Sequence, residues 1–174
     1  IYDPEVKNVE SLVGSVNPEV LVVEAQQGDV SGQMQRLLGS DVSTIHVLGH
    51  GKPGQVELSG CVLDGDAWES ITKNSEAAPC EGKRQLGSFE NEKSAARCDE
   101  FAKRDQKLEI NFWSCQTGEG IMGKNYIQRV ANLCDAKVNA SSGLIGHEKM
   151  GGNWELDVMS YPKVPFSASG ISDF

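Results

Sequence analysis

Thr44-Ile45-His46-Val47-Leu48-Gly49-His50-Gly51 and Leu108-Glu109-Ile110-Asn111-Phe112-Trp113-Ser114-Cys115 are the two stretches on which the fold turns. Each is a short apolar run that reads as a strand buried on both faces of a sheet. The first ends in His-Gly and the second in Cys. Adjacent strands of a parallel sheet end on one edge, and open α/β folds build their sites at that edge. A thiol and an imidazole brought together there make a nucleophile and its acid/base partner.

Working outward, Val20-Leu21-Val22-Val23-Glu24 is a further continuous apolar run and reads as a strand buried on both faces. Val30 to Leu38 reads as a helix, with Met34, Leu37 and Leu38 on one side and Gly39 as its stop. Lys52-Pro53-Gly54 is a turn, followed by a short strand over Gln55 to Leu58. Asp64 or Asp66 is placed to cap a helix carrying Ala67, Trp68 and Ile71. Apolar side chains at 126, 127, 130, 131 and 134 form a helical stripe over 120–134, and Ala136 to Ala140 follows as another strand. Gly151-Gly152 precedes an alternating final strand, Trp154-Glu155-Leu156-Asp157-Val158. Strands alternating with helices predict an α/β three-layer sandwich around a mostly parallel central sheet. The chain reads as one domain over 1–174. The charged, apolar-poor stretch at about 74–107, partly helical near 90–104, reads as an insertion that does not build core: a processing loop, a lid or partner surface controlling access to the site, or a solvated decoration with no role.

Composition narrows the function classes. Asp+Glu number 25 against Lys+Arg 16, for a net charge of −9, which argues against nucleic acid as a partner. No apolar run reaches membrane-spanning length, so no membrane insertion is expected. The chain starts at Ile1 without an initiator Met or signal-like segment and reads as a processed form or an excised domain. His46 and His50 share parity on one strand, but His147 is the only other histidine and the cysteines are scattered, so no metal and no cofactor are expected. The five cysteines contain no Cys-x-x-Cys pair. Their odd number fits two disulfides and a free thiol in an oxidising compartment, Cys80–Cys98 closing the insertion and Cys61–Cys134 as the weaker pair. Buried reduced thiols are the other reading, and Cys134 lies on the apolar stripe of its helix.

The two strand ends carry the chemistry. Glycine after His50 lets the backbone approach a substrate carbonyl, so the Gly51 N–H is a candidate oxyanion donor, with the N–H of Cys115 as a second. Cys115 is followed by Gln116-Thr117-Gly118-Glu119-Gly120 ahead of a helix, a setting that favours thiolate. No Gly-x-Ser-x-Gly elbow is present, which argues against a serine hydrolase. His46 reads as a core or hydrogen-bonded residue, His147 as a solvated loop residue, and Trp68, Trp113 and Trp154 as packing aromatics.

His-Gly at one strand end and a small residue then Cys at the next resemble the caspase-like cysteine peptidases of clan CD. A nearer resemblance is to an uncharacterised bacterial caspase-like domain found near the N-terminus of large surface proteins. That similarity runs through Ile45 to Gly54, Trp113-Ser114-Cys115, Val138 to Gly146 and Gly151 to Leu156. The resemblance implies a caspase-like fold, with Cys115 as nucleophile, His50 as acid/base and Gly51 as oxyanion donor. It makes Ser141 and Ser142 candidates for the substrate-binding wall. It implies a cysteine endopeptidase that hydrolyses peptide bonds in a peptide or protein substrate, secreted or at the cell surface as part of a larger protein. The alternative it leaves is a non-catalytic extracellular adhesion or recognition module on a peptidase-like fold. Ser114 departs from the glycine usual before the cysteine, and the stretch between His50 and Cys115 is long.

Overall fold

The computed structural model describes residues 1–76, 106–160 and 162–174. In chain order the elements are α1 (Val9–Val13), α2 (Val30–Leu38), β1 (Thr44–Leu48), β2 (His50–Lys52), β3 (Gln55–Leu58), β4 (Cys61–Leu63), α3 (Gly65–Glu76), β5 (Leu108–Trp113), α4 (Gly120–Cys134), β6 (Ala136–Ala140) and α5 (Ala168–Asp173), with a 3-10 turn at Glu148–Met150 between β6 and α5. The architecture is mixed α/β. A parallel sheet runs in the order β1-β5-β6, and a smaller antiparallel sheet in the order β2-β3-β4.

Side-chain alternation along the parallel strands builds the core on both faces of the sheet. Ile45 and Val47 of β1, Leu108, Ile110 and Phe112 of β5, and Ala136 and Val138 of β6 join one apolar cluster with residues of α2, α3 and α4. Leu48 and Trp113 join the other, with Val9 and Leu12 of α1, Leu156, and Ile171 and Phe174 near the end of the chain. In the first cluster the buried Trp68 donates its indole N–H to the Tyr126 hydroxyl at 2.8 Å, which donates in turn to the Leu63 carbonyl at 2.8 Å. Burial, against which that indole hydrogen bond works, pushes the Tyr126 phenol far above its ordinary range and keeps it neutral.

Asp64 is the residue that caps α3, its Oδ1 accepting from the N–H groups of Asp66 and Ala67 at 3.0 and 2.9 Å. Two of the expected strands are not strands. Val20 to Glu24 makes a single parallel bridge, Tyr2 to Glu24, and leaves Leu21 76% exposed and Val22 41% exposed. Its neighbour is the short segment Ile1 to Asp3, which lies between it and β1. Tyr2 bonds Val23 and Ala25, while Leu48 bonds Ile1 and Asp3, so only one residue pair of ladder forms. Trp154 to Val158 keeps the alternation, with Leu156 buried, but reduces to one antiparallel bridge between Val158 and Ala140. An Asx turn at its start explains this: Asn153 Oδ1 takes the Glu155 N–H at 3.0 Å. Nor do His46 and His50 share a strand, since Gly49 separates β1 from β2.

The stretch expected to be an insertion overlaps the end of α3, which continues to Glu76. Residues 77–105 lie outside the described residues, and with them the expected helix near 90–104, the access role and the Cys80–Cys98 disulfide. The Cys61–Cys134 disulfide is absent: both are free thiols packed against the first cluster from β4 and the end of α4. Burial pushes the Cys134 thiol up to about 12, so it is protonated at neutral pH.

Candidate functional site

Register sets the site. β1 and β5 are adjacent and parallel, with Leu48 opposite Trp113. His50 and Cys115 each follow that pair by two residues and line one cleft of about 520 Å³. The chain turns at Gly49 into the β2–β3 hairpin, while β5 runs into a turn over Ser114–Gly118 ahead of α4. Gly51 holds these two features together. A Cβ there would lie 2.6 Å from the Cys115 carbonyl and 2.9 Å from Ser114 Cβ, and would also strike Thr117 Oγ1. Only glycine lets β2 lie this close to the cysteine turn.

The cysteine turn is tightly held. Gln116 takes the left-handed conformation, φ 57, and its N–H donates to the Gly143 carbonyl at 2.7 Å. Gly118 N–H donates to the Ser141 carbonyl at 2.9 Å, tying the turn to the end of β6. The hydroxyls of Ser114 and Thr117 are hydrogen-bonded to each other at 2.6 Å. The Cys115 thiol donates to the Ile145 carbonyl at 3.6 Å, and the Cys115 N–H has no hydrogen-bond partner among the described residues. In the hairpin, Lys52 pairs with Gln55 across a two-residue turn, and Gly51 with Val56. Bonded and non-bonded pairs alternate from the closing pair, which turns the Gly51 N–H away from β3.

Aromatic side chains form much of the cleft. Trp113, Trp154 and Phe174 line it, with ring centroids 6.2 Å apart for the two tryptophans and 5.3 Å for Trp154 and Phe174. The buried Trp154 N–H has no hydrogen-bond acceptor among the described residues. Lys7, His147 and Lys149 also line the cleft. His147 caps the 3-10 turn, its Nδ1 accepting from the Lys149 N–H at 3.0 Å, which leaves Nε2 to carry the proton in the neutral ring. His147, expected as a solvated loop residue, lines the same cleft as Cys115, and no motif around it signals this.

Ser141 and Ser142 do not line this cleft. Ser141 is buried, and its Oγ accepts from the Gly143 N–H at 3.1 Å. Ser142 donates to Asp157 through its N–H at 2.7 Å and also through its hydroxyl. Burial opposes ionisation of Asp157, but the Ser142 hydrogen bonds outweigh it and hold the carboxyl below its ordinary range.

Next to the cleft, a polar row crosses the parallel sheet in register: His46 opposite Asn111, and Asn111 opposite Asn139. Trp113 Nε1 donates to His46 Nδ1 at 3.0 Å, Asn139 donates to Asn111 Oδ1 at 2.6 Å, and Ser160 donates to Asn139 Oδ1 at 2.6 Å. Burial, with the amino-terminal ammonium adding to it, lowers His46 to about 4. Protonation at Nδ1 would also cost the Trp113 N–H its acceptor. His46 is therefore a neutral structural histidine, and His50 is the exposed one at the cleft. The signal for this row is in the sequence: a polar residue sits between apolar ones inside each strand, two positions after Thr44, Glu109 and Lys137.

Among the described residues no group of histidine, cysteine or carboxylate side chains is arranged to hold a metal ion, and no helix is long and apolar enough to cross a membrane. No curated protein and no solved structure matches the chain. A family model does match, over residues 1–174, and its description is a domain of unknown function, DUF4347. With the match running the whole length of the chain, this protein belongs to the DUF4347 family.

Proposed function

We propose that the chain is a cysteine endopeptidase with a Cys115/His50 dyad, on a three-layer sandwich of caspase-like type that works outside the cell. The observation that carries the reading is the β1–β5 register, which delivers a thiol and an exposed imidazole to one aromatic cleft. His50 takes the proton of the Cys115 thiol as Sγ attacks the substrate carbonyl, and passes that proton to the departing amine as the C–N bond breaks and the acyl-enzyme forms. The Cys115 and Gly51 N–H groups receive the charge that develops on the carbonyl oxygen. Water then attacks the thioester, with His50 taking its proton, and the free thiol returns.

One observation favours a second reading, a non-catalytic peptide-recognition module: the thiol bonds the Ile145 carbonyl and not His50. Catalytic hydrogen bonds often tighten only on substrate binding, so the dyad is the stronger reading. Alkylation separates the two. Iodoacetamide at pH 7 should modify Cys115 far faster than Cys134, whose protonated thiol is an internal control. His50→Ala should slow Cys115 labelling about tenfold or more. Equal rates in the native protein and in His50→Ala would reject the dyad.

A further inference from the structure

The charge of the cleft runs against the charge of the chain. The molecule carries a net charge of −9, yet none of the described residues lining the cleft is Asp or Glu, while Lys7 and Lys149 both line it. The two lysines come from different segments, Lys7 from the turn before α1 and Lys149 from the 3-10 turn after β6. Both are exposed, and neither is in an ion pair among the described residues. Several carboxylates adjoin lining residues without lining the cleft themselves, among them Glu57, opposite His50 across the hairpin, Glu148, between His147 and Lys149, and Glu155, after Trp154. Much of the rest of the lining is apolar, with Trp113, Trp154, Phe174 and Ile145. About 520 Å³ accommodates one large side chain together with its flanking backbone.

We infer that the cleft selects a peptide presenting a large apolar or aromatic side chain beside an acidic residue. As a statement of cleavage specificity it rests on the peptidase reading; as a statement of binding it does not. The apolar residue removes its side chain from water against the three rings. The neighbouring carboxylate meets two lysines and no acidic residue in the described lining, which discriminates by repelling the wrong charge as much as by attracting the right one. A basic side chain would enter with no carboxylate to pair it and two lysines opposing it.

The experiment uses the purified chain and fluorogenic peptide amides. The residue whose carbonyl is attacked is Phe, Leu, Ala or Arg, preceded by Glu, Gln or Lys. Phe and Leu behind Glu should give kcat/KM about tenfold or more above Arg behind Lys. Lys7→Gln with Lys149→Gln should shrink the preference for Glu over Gln at least about fivefold. In parallel, Cys115→Ala and wild type are titrated by fluorescence anisotropy with the same peptides, fluorescein-labelled. Best cleavage behind Arg or Ala would overturn the inference and leave the peptidase standing. Absence of cleavage with selective binding of the Glu-Phe peptide would support the inference and remove the peptidase. Absence of both would remove both.

Discussion

Gly51, in β2, and His46, in β1, do opposite work. At Gly51 the missing side chain is what matters, because Cys115 and Ser114 occupy the space a methyl group would need. Gly51→Ala forces the hairpin off the cysteine turn, an overpacking cost of about 1–3 kcal/mol. A displacement of about 1 Å at a reacting pair is worth about a hundredfold in rate. Cys115 alkylation should therefore fall much further in Gly51→Ala than thermal stability does. His46 makes a separate prediction. Above pH 6.5 it is neutral whether the chain is folded or unfolded and adds no pH dependence. Below that the unfolded chain takes up a proton that the folded one, with His46 lowered to about 4, refuses. Stability is thus lost as pH falls from 6.5 towards 4, by about 2 kcal/mol at pH 5. Urea titrations at pH 7.5 and 5 should show a loss larger by about 2 kcal/mol in the wild type than in His46→Gln. The amide keeps an acceptor for the Trp113 N–H while removing the titration.

Elements were legible where their burial is self-evident from pattern. β1, β5, β6, α2 and α4 run over the residues that their apolar runs and stripes mark out. The two failures have separate causes, the Asx turn at the start of Trp154 to Val158 and the missing partner of Val20 to Glu24. An apolar run such as Val20 to Glu24 states that side chains avoid water, but a strand also needs a neighbour to bond along its length. Here that neighbour is three residues of chain, and nothing in the run reveals it. At the site, the strand ends were readable because a two-residue overrun past Leu48 and Trp113 follows from register. The rest was not, since Lys7, His147, Lys149 and Phe174 reach the cleft from segments far apart in sequence. The contact between the cysteine turn and α4 belongs to this scale as well. A Cβ on Gly123 would lie 2.7 Å from both Cα and O of Gly118. Alanine is favoured over glycine inside a helix by about 1 kcal/mol. The clash is with backbone, which cannot swing aside, so it outweighs that gain. Gly123→Ala should lower stability by about 1–3 kcal/mol in chemical denaturation and slow Cys115 alkylation as the turn is pushed away.

Over the whole molecule, the two apolar clusters share the parallel strands β1 and β5, as the neighbours Phe112 and Trp113 illustrate by facing opposite ways. Neither cluster can open while the other keeps the sheet intact. Unfolding should therefore be a single transition, with calorimetric and van't Hoff enthalpies equal. Phe112→Ala should cost about 3–5 kcal/mol and still leave one transition. Two resolved heat-absorption peaks would show that the clusters are separate cooperative units. The division of the tryptophans between these clusters has an optical consequence. Trp68 is sealed beneath α4 against Tyr126 and sees only whether the chain is folded. Trp113 and Trp154 stand together at the cleft. The protein thus carries its own emission probe for occupancy: a bound peptide should alter the intensity and wavelength of the cleft pair's fluorescence, while the Trp68 component stays constant as an internal reference.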